Sequence, residues 1–412
     1  MTARDVVIVG GGVAGGTLAC VLARAGLDVT VLERQATYRD RVRGECMWQW
    51  GVAETQRLGL FETLRSAGGH SATRLELYDE VTGPHATAYP VEHLGAPIAG
   101  VDGTLNLYHP SATAALVEAA ASAGAQVFRG VADVTVRAGS SPQVRWTDAD
   151  GSHRLASRLV VGADGRGSIV RQQAGINIQR DPVPHVAAGM LVDGLGDVDA
   201  GTDLIARERD LNFFSFPQGG GRARLYLCLP TKHRDRFQGR AAAQRFLDAV
   251  GTMGCLPGAE RWSRARPAGP CATFTCEDSH VDRIAVQGIV LIGDAGGYNN
   301  PLIGQGQSLA VRDAGALADV LLADGLASQA GLDAYGAERT ARLRRARVAA
   351  LIEVWANDGF EVQDPEERRR RFDRAFSDDV LRGLMEAETL GFESLEHVPS
   401  DSEARERLLA ST

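Results

Sequence analysis

The sequence predicts an α/β chain in which a parallel, helix-covered sheet is interrupted by a largely antiparallel one and then followed by helices. Three observations predict this. The chain opens on four β-branched residues, Val6-Val-Ile-Val9, that turn through glycines straight into an apolar helix, the pattern of a strand buried on both faces. A second apolar run, Ile289-Val-Leu-Ile292, repeats the strand–glycine–helix pattern near the other end. Between them, Leu211–Phe216 and Ala223–Leu229 alternate in polarity around Gly219, Gly220 and Gly221, which signals a hairpin.

At 412 residues the chain exceeds what one core normally organises. The expected division is a discontinuous first domain (1–75, 100–175 and 283–325), an inserted β domain (76–99 and 176–282) and a helical segment (326–412). An apolar fraction of 44% with 23% charged residues is that of a soluble globular protein. A net charge of −8 argues against a nucleic-acid partner. The run Arg368–Arg371 follows Glu366 and Glu367 in a helical pattern and reads as a solvated face. No apolar run is long enough to span a membrane. Little chain precedes the first strand, which leaves no room for a signal peptide, so a cytoplasmic location is expected. The six cysteines (20, 46, 228, 255, 271 and 276) lack metal-ligand spacing and are expected as free thiols, with no metal site.

The first turn, Gly10-x-Gly12-x-x-Gly15, enters a helix from Val13 to Ala25 that ends at Gly26. Its glycines let the backbone approach a pyrophosphate, and the N–H groups around Val13 and Ala14 present a positive helix end. The strand Val29–Glu33 follows, ending in a carboxylate placed for adenosine ribose hydroxyls. Glu33 would repel a 2′-phosphate, so the dinucleotide expected here is FAD or NAD rather than NADP.

Arg34 opens a basic connection containing Arg39, Arg41 and Arg43, and Trp48 and Trp50 then lead into a helix expected over 52–64. Residues 71–101 read as antiparallel strands leaving the first domain. His109 and Pro110 start a helix, with Pro110 near its first position. Strands are expected at 126–128, 131–137, 143–147 and 154–161, the last entering a second glycine turn, Gly162-Ala-Asp-Gly165. The third turn, Gly293-Asp294, feeds a Pro/Gly loop to Gly306 and a helix from Gln307 to Leu322. Asp294 could accept hydrogen bonds from a sugar-alcohol chain, while the following N–H groups stabilise negative charge on a ring. Residues 332–412 read as helices that cover the outside or meet a partner.

GGGVAG at 10–15, GADG at 162–165 and GDAGGYNNPLIGQG at 293–306 together resemble the single-component (class A) FAD monooxygenases of the p-hydroxybenzoate hydroxylase fold. The resemblance covers residues 4–323 and implies a Rossmann-like FAD-binding domain of the GR2 type. It implies that Gly10, Gly12, Val13, Ala14 and Gly15 hold the FAD pyrophosphate, Glu33 and neighbouring Arg34 the adenosine end, and Arg43 and His109 the ribose and phosphates. Relatives often carry Arg where His109 stands. Asp164 is implied to link FAD and NAD(P)H, and Gly293 and Asp294 to bind the ribityl–pyrophosphate region. Pro301, Gly304, Gln305, Gly306 and Gln307 are implied to face the isoalloxazine.

The chemistry implied is hydride transfer from transient NAD(P)H, then O2 activation as a C4a-hydroperoxyflavin and transfer of one oxygen atom to an aromatic or polyketide-like substrate. That substrate is expected among Trp48, Phe214, Phe216, Tyr226, Tyr298 and Asn299, with no catalytic residue assigned. The alternatives are a geranylgeranyl-reductase-type flavoenzyme and a two-component monooxygenase. Leu107-Tyr-His-Pro110 is similar to the latter, which lack the Asp164-Gly165 turn. A halogenase is disfavoured because the chain's one lysine is Lys232 and Trp48-Gln-Trp50 is followed by Gly-Val. A non-enzymatic FAD scaffold and a homodimer are the remaining partner-level expectations.

Overall fold

The computed structural model describes residues 4–82, 92–93, 98–196, 199–326, 328–357, 364–395 and 397–410. Parts of the expected segments 76–99 and 326–412 therefore lie outside the described residues. The first sheet runs in the order Ala285–Val286, Ile289–Leu291, Gly151–Gly162, Arg4–Val9, Val29–Glu33, Gln126–Arg129. Every neighbouring pair on that path is parallel except the first. Val6, Val7, Ile8, Val160 and Val290 are completely buried, as expected of strands covered by helices on both faces. The strand Gly151–Gly162 has two uses. Its first half pairs antiparallel with Gln143–Asp148, and its second half joins the parallel sheet.

The second sheet runs Arg266–Pro267, His185–Asp193, Ala223–Pro230, Leu211–Pro217, Thr202–Glu208, Arg74–Asp79, Glu92–His93, with Ala272–Cys276 also on His185–Asp193. As expected within 71–101, Arg74–Asp79 pairs antiparallel with Glu92–His93; its other edge, unanticipated, pairs parallel with Thr202–Glu208. These parallel strands are more than a hundred residues apart, so no hairpin constrains their direction. The outer face of this sheet is covered by the helix Ala242–Gly251 and by Trp262, which packs edge-on against Phe213 at 5.3 Å. A third, three-stranded sheet of Cys46–Met47, His70–Ala72 and Thr104–Asn106 bridges the two.

The helix expected over 52–64 is two helices, Gln49–Arg57 and Phe61–Ser66. Gly59 takes a left-handed conformation between them, which ends the first. The C-terminal part contains the helices Gln329–Ala356, Pro365–Ser377, Asp379–Leu390 and Asp401–Leu409. They share a core with Trp50, Ile303 and Leu309. Arg368 is not on a solvated face. It is buried and holds Asp79 at 3.1 Å and Glu80 at 2.9 Å. Among the described residues no helix is long and apolar enough to cross a membrane.

Candidate functional site

Register places the three glycine turns together. Val9 lies opposite Gly162, and Gly162 opposite Leu291, so the turns leave the same carboxyl edge of the sheet, where ligands of such sheets bind. The fit between the turns is close. Gly10 has φ +108°, and a Cβ there would stand 2.3 Å from the carbonyl oxygen of Ala163. A Cβ on Gly293 would reach 3.0 Å from that of Ala14. By contrast, a Cβ on Gly12 or Gly306 would meet no protein atom within 4 Å. These two glycines stand at the starts of the helices Val13–Arg24 and Gly306–Ala323. Two long helices thus aim unsatisfied N–H groups into open space, which suits a bis-anionic, extended ligand.

Other expected cofactor residues divide into those facing this space and those turned away from it. The side chain of Asp294 is 41% exposed, and its carboxylate lies 3.6 Å from the Nε of Arg166. Arg166 in turn sits over the Tyr298 ring at 4.2 Å. Burial lowers the pKa of Arg43, with Arg166 opposing and Asp294 favouring its charge. His109 lies beside Gly44 and Gln307. Burial, with the cation of Arg41 next in weight, holds its pKa down to about 4, so it enters the site as a neutral imidazole. Gln307 donates to the Gly44 carbonyl, and its Oε1 is buried without a hydrogen-bond partner. Arg34 is exposed beside Glu33.

Glu33 is tied into the loop: its two oxygens accept from the N–H groups of Gly11 at 2.7 Å and Gln35 at 2.6 Å. Asp164 turns inward, where sequence reading aimed it at the cofactors. It accepts from Ser168 Oγ (2.5 Å), Ile169 N (2.7 Å) and Val170 N (3.2 Å). The cause is local, because the turn is followed at once by the short helix Ile169–Gln173, whose first N–H groups need an acceptor. Gln305 also turns away, accepting from the Trp50 indole at 2.9 Å and donating to the Glu388 carbonyl at 3.1 Å. The Trp48 indole donates to the Ile303 carbonyl at 3.0 Å and lies under Gly304. The two tryptophans thus brace the loop Pro301 to Gly306.

Sequence reasoning missed what holds the third turn. Arg339, from the long helix Gln329–Ala356, donates to the carbonyls of Gly293 (2.8 Å), Gly296 (2.6 Å) and Gly297 (3.2 Å). Its Nε donates to Asp313 at 2.7 Å, and Asp313 also accepts from Arg342 at 2.7 Å and from Gly293 N at 2.8 Å. All three charged side chains are at most 4% exposed. A planar fork matched to several acceptors is what Arg supplies and Lys does not. In an Arg-rich helical pattern, nothing marked these two arginines as inward.

The residues expected around the substrate split in two. Phe214, Phe216 and Tyr226 form a wall on one face of the second sheet, with ring centroids 6.3 Å apart along the series. Phe274 adds an edge at 6.1 Å from Tyr226. This wall packs with Ala187, Cys228, Leu302 and Val354, so the third-turn loop and the sheet face enclose one apolar region. Tyr298 and Asn299 point elsewhere, to Glu277 at 2.6 Å and Asp278 at 2.8 Å. The buried polar side chains there draw them away from the wall. At one end of the wall Tyr226 donates to Glu45, which also faces Arg224 at 3.1 Å. Burial pushes the Glu45 carboxyl up to about 7 against the opposing effect of Arg224.

The model of a family described as "FAD binding domain" matches residues 3–350. Ubiquinone hydroxylase UbiL of Rhodospirillum rubrum is 29% identical over 387 residues, covering 86% of this chain and 82% of the relative. Dialkyldecalin synthase of Streptomyces rugosporus is 30% identical over 364 residues, covering 83% and 70%. Among solved structures, p-nitrophenol 4-monooxygenase PnpA from Pseudomonas putida DLL-E4 superposes with a TM-score of 0.78 at 20% identity, covering 94% of this chain and 98% of that one. That last likeness is one of fold.

Proposed function

The chain belongs to the FAD binding domain family, and from that premise we propose that it is an NAD(P)H-consuming FAD monooxygenase acting on an aromatic or polyketide-like small molecule, by hydroxylation or Baeyer–Villiger oxidation. Relatives named as a ubiquinone hydroxylase and a kynurenine 3-monooxygenase support that reading. The open space before Gly12 and Gly306 and the unpartnered Gln307 Oε1 fit FAD. Bound there, FAD would accept a hydride from NAD(P)H and, once reduced, activate O2 to oxygenate the substrate.

Gly10 to Gly15 receive the pyrophosphate at the first helix start, with Glu33 and Arg34 at the adenosine end. Arg43 and Arg166 balance phosphate charge, and Asp294 accepts from ribityl hydroxyls. Gln305 to Gln307 direct N–H groups and the positive helix end at developing negative charge, with Gly304 shaping the turn before them. Neutral His109 packs against Gly44 without adding charge. Asp164 acts through the helix it caps rather than by contact. The substrate is assigned to the wall of Phe214, Phe216 and Tyr226, while Tyr298 and Asn299 position the loop. Phe274 and Trp355 join that wall.

One observation carries the proposal: Leu302, within the loop assigned to the isoalloxazine, belongs to the same buried apolar cluster as Phe214 and Cys228. That enclosure excludes water where a reactive oxygen species has to be sheltered. The test is stopped-flow reduction of the FAD-loaded protein by NADH and by NADPH, with and without candidate aromatic substrates, followed by turnover under 18O2. Reduction by the nucleotide and one labelled oxygen in the product are expected. Anaerobic turnover without label would replace the reading by an alkene reductase. Oxygenation only with externally reduced flavin would make it a two-component enzyme. A cytoplasmic location and a homodimer belong to the same reading, with fractionation and light scattering as their tests.

A further inference from the structure

The end of the aromatic wall opposite Glu45 is a buried polar cluster that the proposed chemistry does not use. Arg207 lies on strand Thr202–Glu208, directly across from Asn212 on strand Leu211–Pro217, and Asn212 lies across from Cys228 on the next strand. Side chains alternate along a strand, so Arg207, Asn212, Phe214 and Cys228 share one sheet face. Arg207 Nη2 pairs with Glu353 at 3.2 Å, and its guanidinium covers the Phe372 ring at 3.8 Å. Glu388, from the helix Asp379–Leu390, is close enough to Glu353 and Arg207 for both to shift its ionisation. Val354 and Trp355, which follow Glu353 directly, pack on the aromatic wall.

Hydrogen bonding in this cluster is incomplete. Asn212 is 1% exposed, and neither its Nδ2 nor its Oδ1 has a partner. Glu388 Oε1 and Arg207 Nε are likewise buried and unpartnered. A buried amide without partners costs about 1–3 kcal/mol, which a polar ligand group bonded to it would offset. Two carboxyl groups face one guanidinium here. Among the described residues, Arg207 is the cation acting on both Glu353 and Glu388. The nearby Arg368 is engaged by Asp79 and Glu80. Burial raises the pKa of both carboxyl groups, Glu388 well above its ordinary range, with Glu353 adding to the rise and Arg207 opposing it, so a second cation placed beside them would favour the charged form of each.

We propose that this cluster is the recognition site for a basic nitrogen on the substrate: a protonated amine held by Glu353 and Glu388 and by Asn212 Oδ1, with the attached ring lying on Phe214 and Phe216. The inference rests on the function proposed above and names the substrate class for that site. Scale agrees with it. Asn212 and Phe214 are two residues apart on an extended strand, roughly 7 Å, which a short alkyl tether between ring and nitrogen spans.

The test is calorimetric titration of the FAD-loaded protein at neutral pH with three probes of one shape: 2-(2-naphthyl)ethylamine, 2-(2-naphthyl)ethanol and 3-(2-naphthyl)propanoate. The amine is expected to bind at least about tenfold tighter than either of the others. In the double variant Glu353→Gln/Glu388→Gln, its advantage over the alcohol should shrink to less than about threefold, with alcohol affinity little changed. Glu388→Gln alone leaves the Arg207–Glu353 pair in place and gives the same reading if the double variant folds poorly. Equal binding of the three probes, preference for the propanoate, no binding of any, or an amine preference that survives the variants overturns the proposal. FAD content and reduction by NAD(P)H are read on the same samples. A protein that takes up no FAD refutes the premise, whereas a yellow, reducible protein indifferent to the amine refutes this inference alone.

Discussion

Replacing Arg339 by Met removes the one side chain that ties three carbonyls of the third turn to the long C-terminal helix. Its donors reach Gly293, Gly296 and Gly297 at 2.6–3.2 Å and Asp313 at 2.7 Å. Asp313 is not stranded by the change, because Arg342 and Gly293 N still hold it at 2.7 and 2.8 Å. The loss therefore comes mainly from three carbonyls left without their donor, at about 1 kcal/mol each, so about 3 kcal/mol in all. That is at the low end of what breaking a buried ion pair costs. Arg339→Lys keeps a charge beside Asp313 but not the planar fork, and should recover about half of the loss. Urea unfolding of FAD-free wild type and both variants measures this. FAD titration should in addition show affinity reduced by about tenfold in the Met variant, since the turn must then be ordered on binding. A Met variant within about 1 kcal/mol of wild type, or a Lys variant no better than Met, would refute the reasoning.

Gly12→Ala and Gly10→Ala should separate binding from folding. The first places a methyl group in open space and should leave unfolding within about 0.5 kcal/mol of wild type while weakening FAD about tenfold or more. The second drives Cβ to 2.3 Å from Ala163 O at a positive φ and should cost about 3 kcal/mol. Similar unfolding curves for the two would contradict the assignment of open space. Asp294→Ala removes a half-exposed carboxylate whose nearest cation is Arg166 at 3.6 Å. It should purify colourless with stability unchanged to within about 0.5 kcal/mol, and a yellow, active variant sinks that assignment. Burial pushes the Asp278 carboxyl from 3.8 up to about 7, with hydrogen bonds from Asn300 and Asn299 opposing. The folded state thus holds this proton more tightly than the unfolded chain, so its stabilisation is full at low pH and is lost as pH rises towards 7. Asp278→Asn keeps an Oδ1 to accept both N–H groups and should be more stable than wild type at pH 8, by up to about 4 kcal/mol. Stability–pH curves that run parallel for the two proteins between acid and neutral pH would exclude it.

Elements with a strong local signal were legible from sequence. The expected helix from Val13 to Ala25 is found as Val13–Arg24, and that from Gln307 to Leu322 as Gly306–Ala323. Their apolar periodicity and flanking glycines dictate them whatever surrounds them. The parallel pairing of Arg74–Asp79 with Thr202–Glu208 was not legible, since the partner strand is distant in the chain. The same holds for side chains whose partners are remote. Nothing near Arg339 or Arg342 indicates that they face Asp313, and nothing near Arg207 or Asn212 marks the cluster at the end of the wall. Asp164 shows the opposite case. Its motif was legible, but the competing demand of the next helix for an N-terminal acceptor took its carboxylate.

The alignment of Val9, Gly162 and Leu291 also sets a timetable. At a synthesis rate of roughly 10 residues per second, the third of these strands leaves the ribosome about half a minute after the first. From about the middle of that interval, when Val160–Gly162 has emerged, its edge lacks the strand Ile289–Leu291 that later covers it, an opening to mispairing. The pyrophosphate turn at Gly10 exists early, but its counterpart at Gly293 and the Arg339 that secures it arrive only near the end. The turn at Gly10 is thus available long before the residues that complete the site.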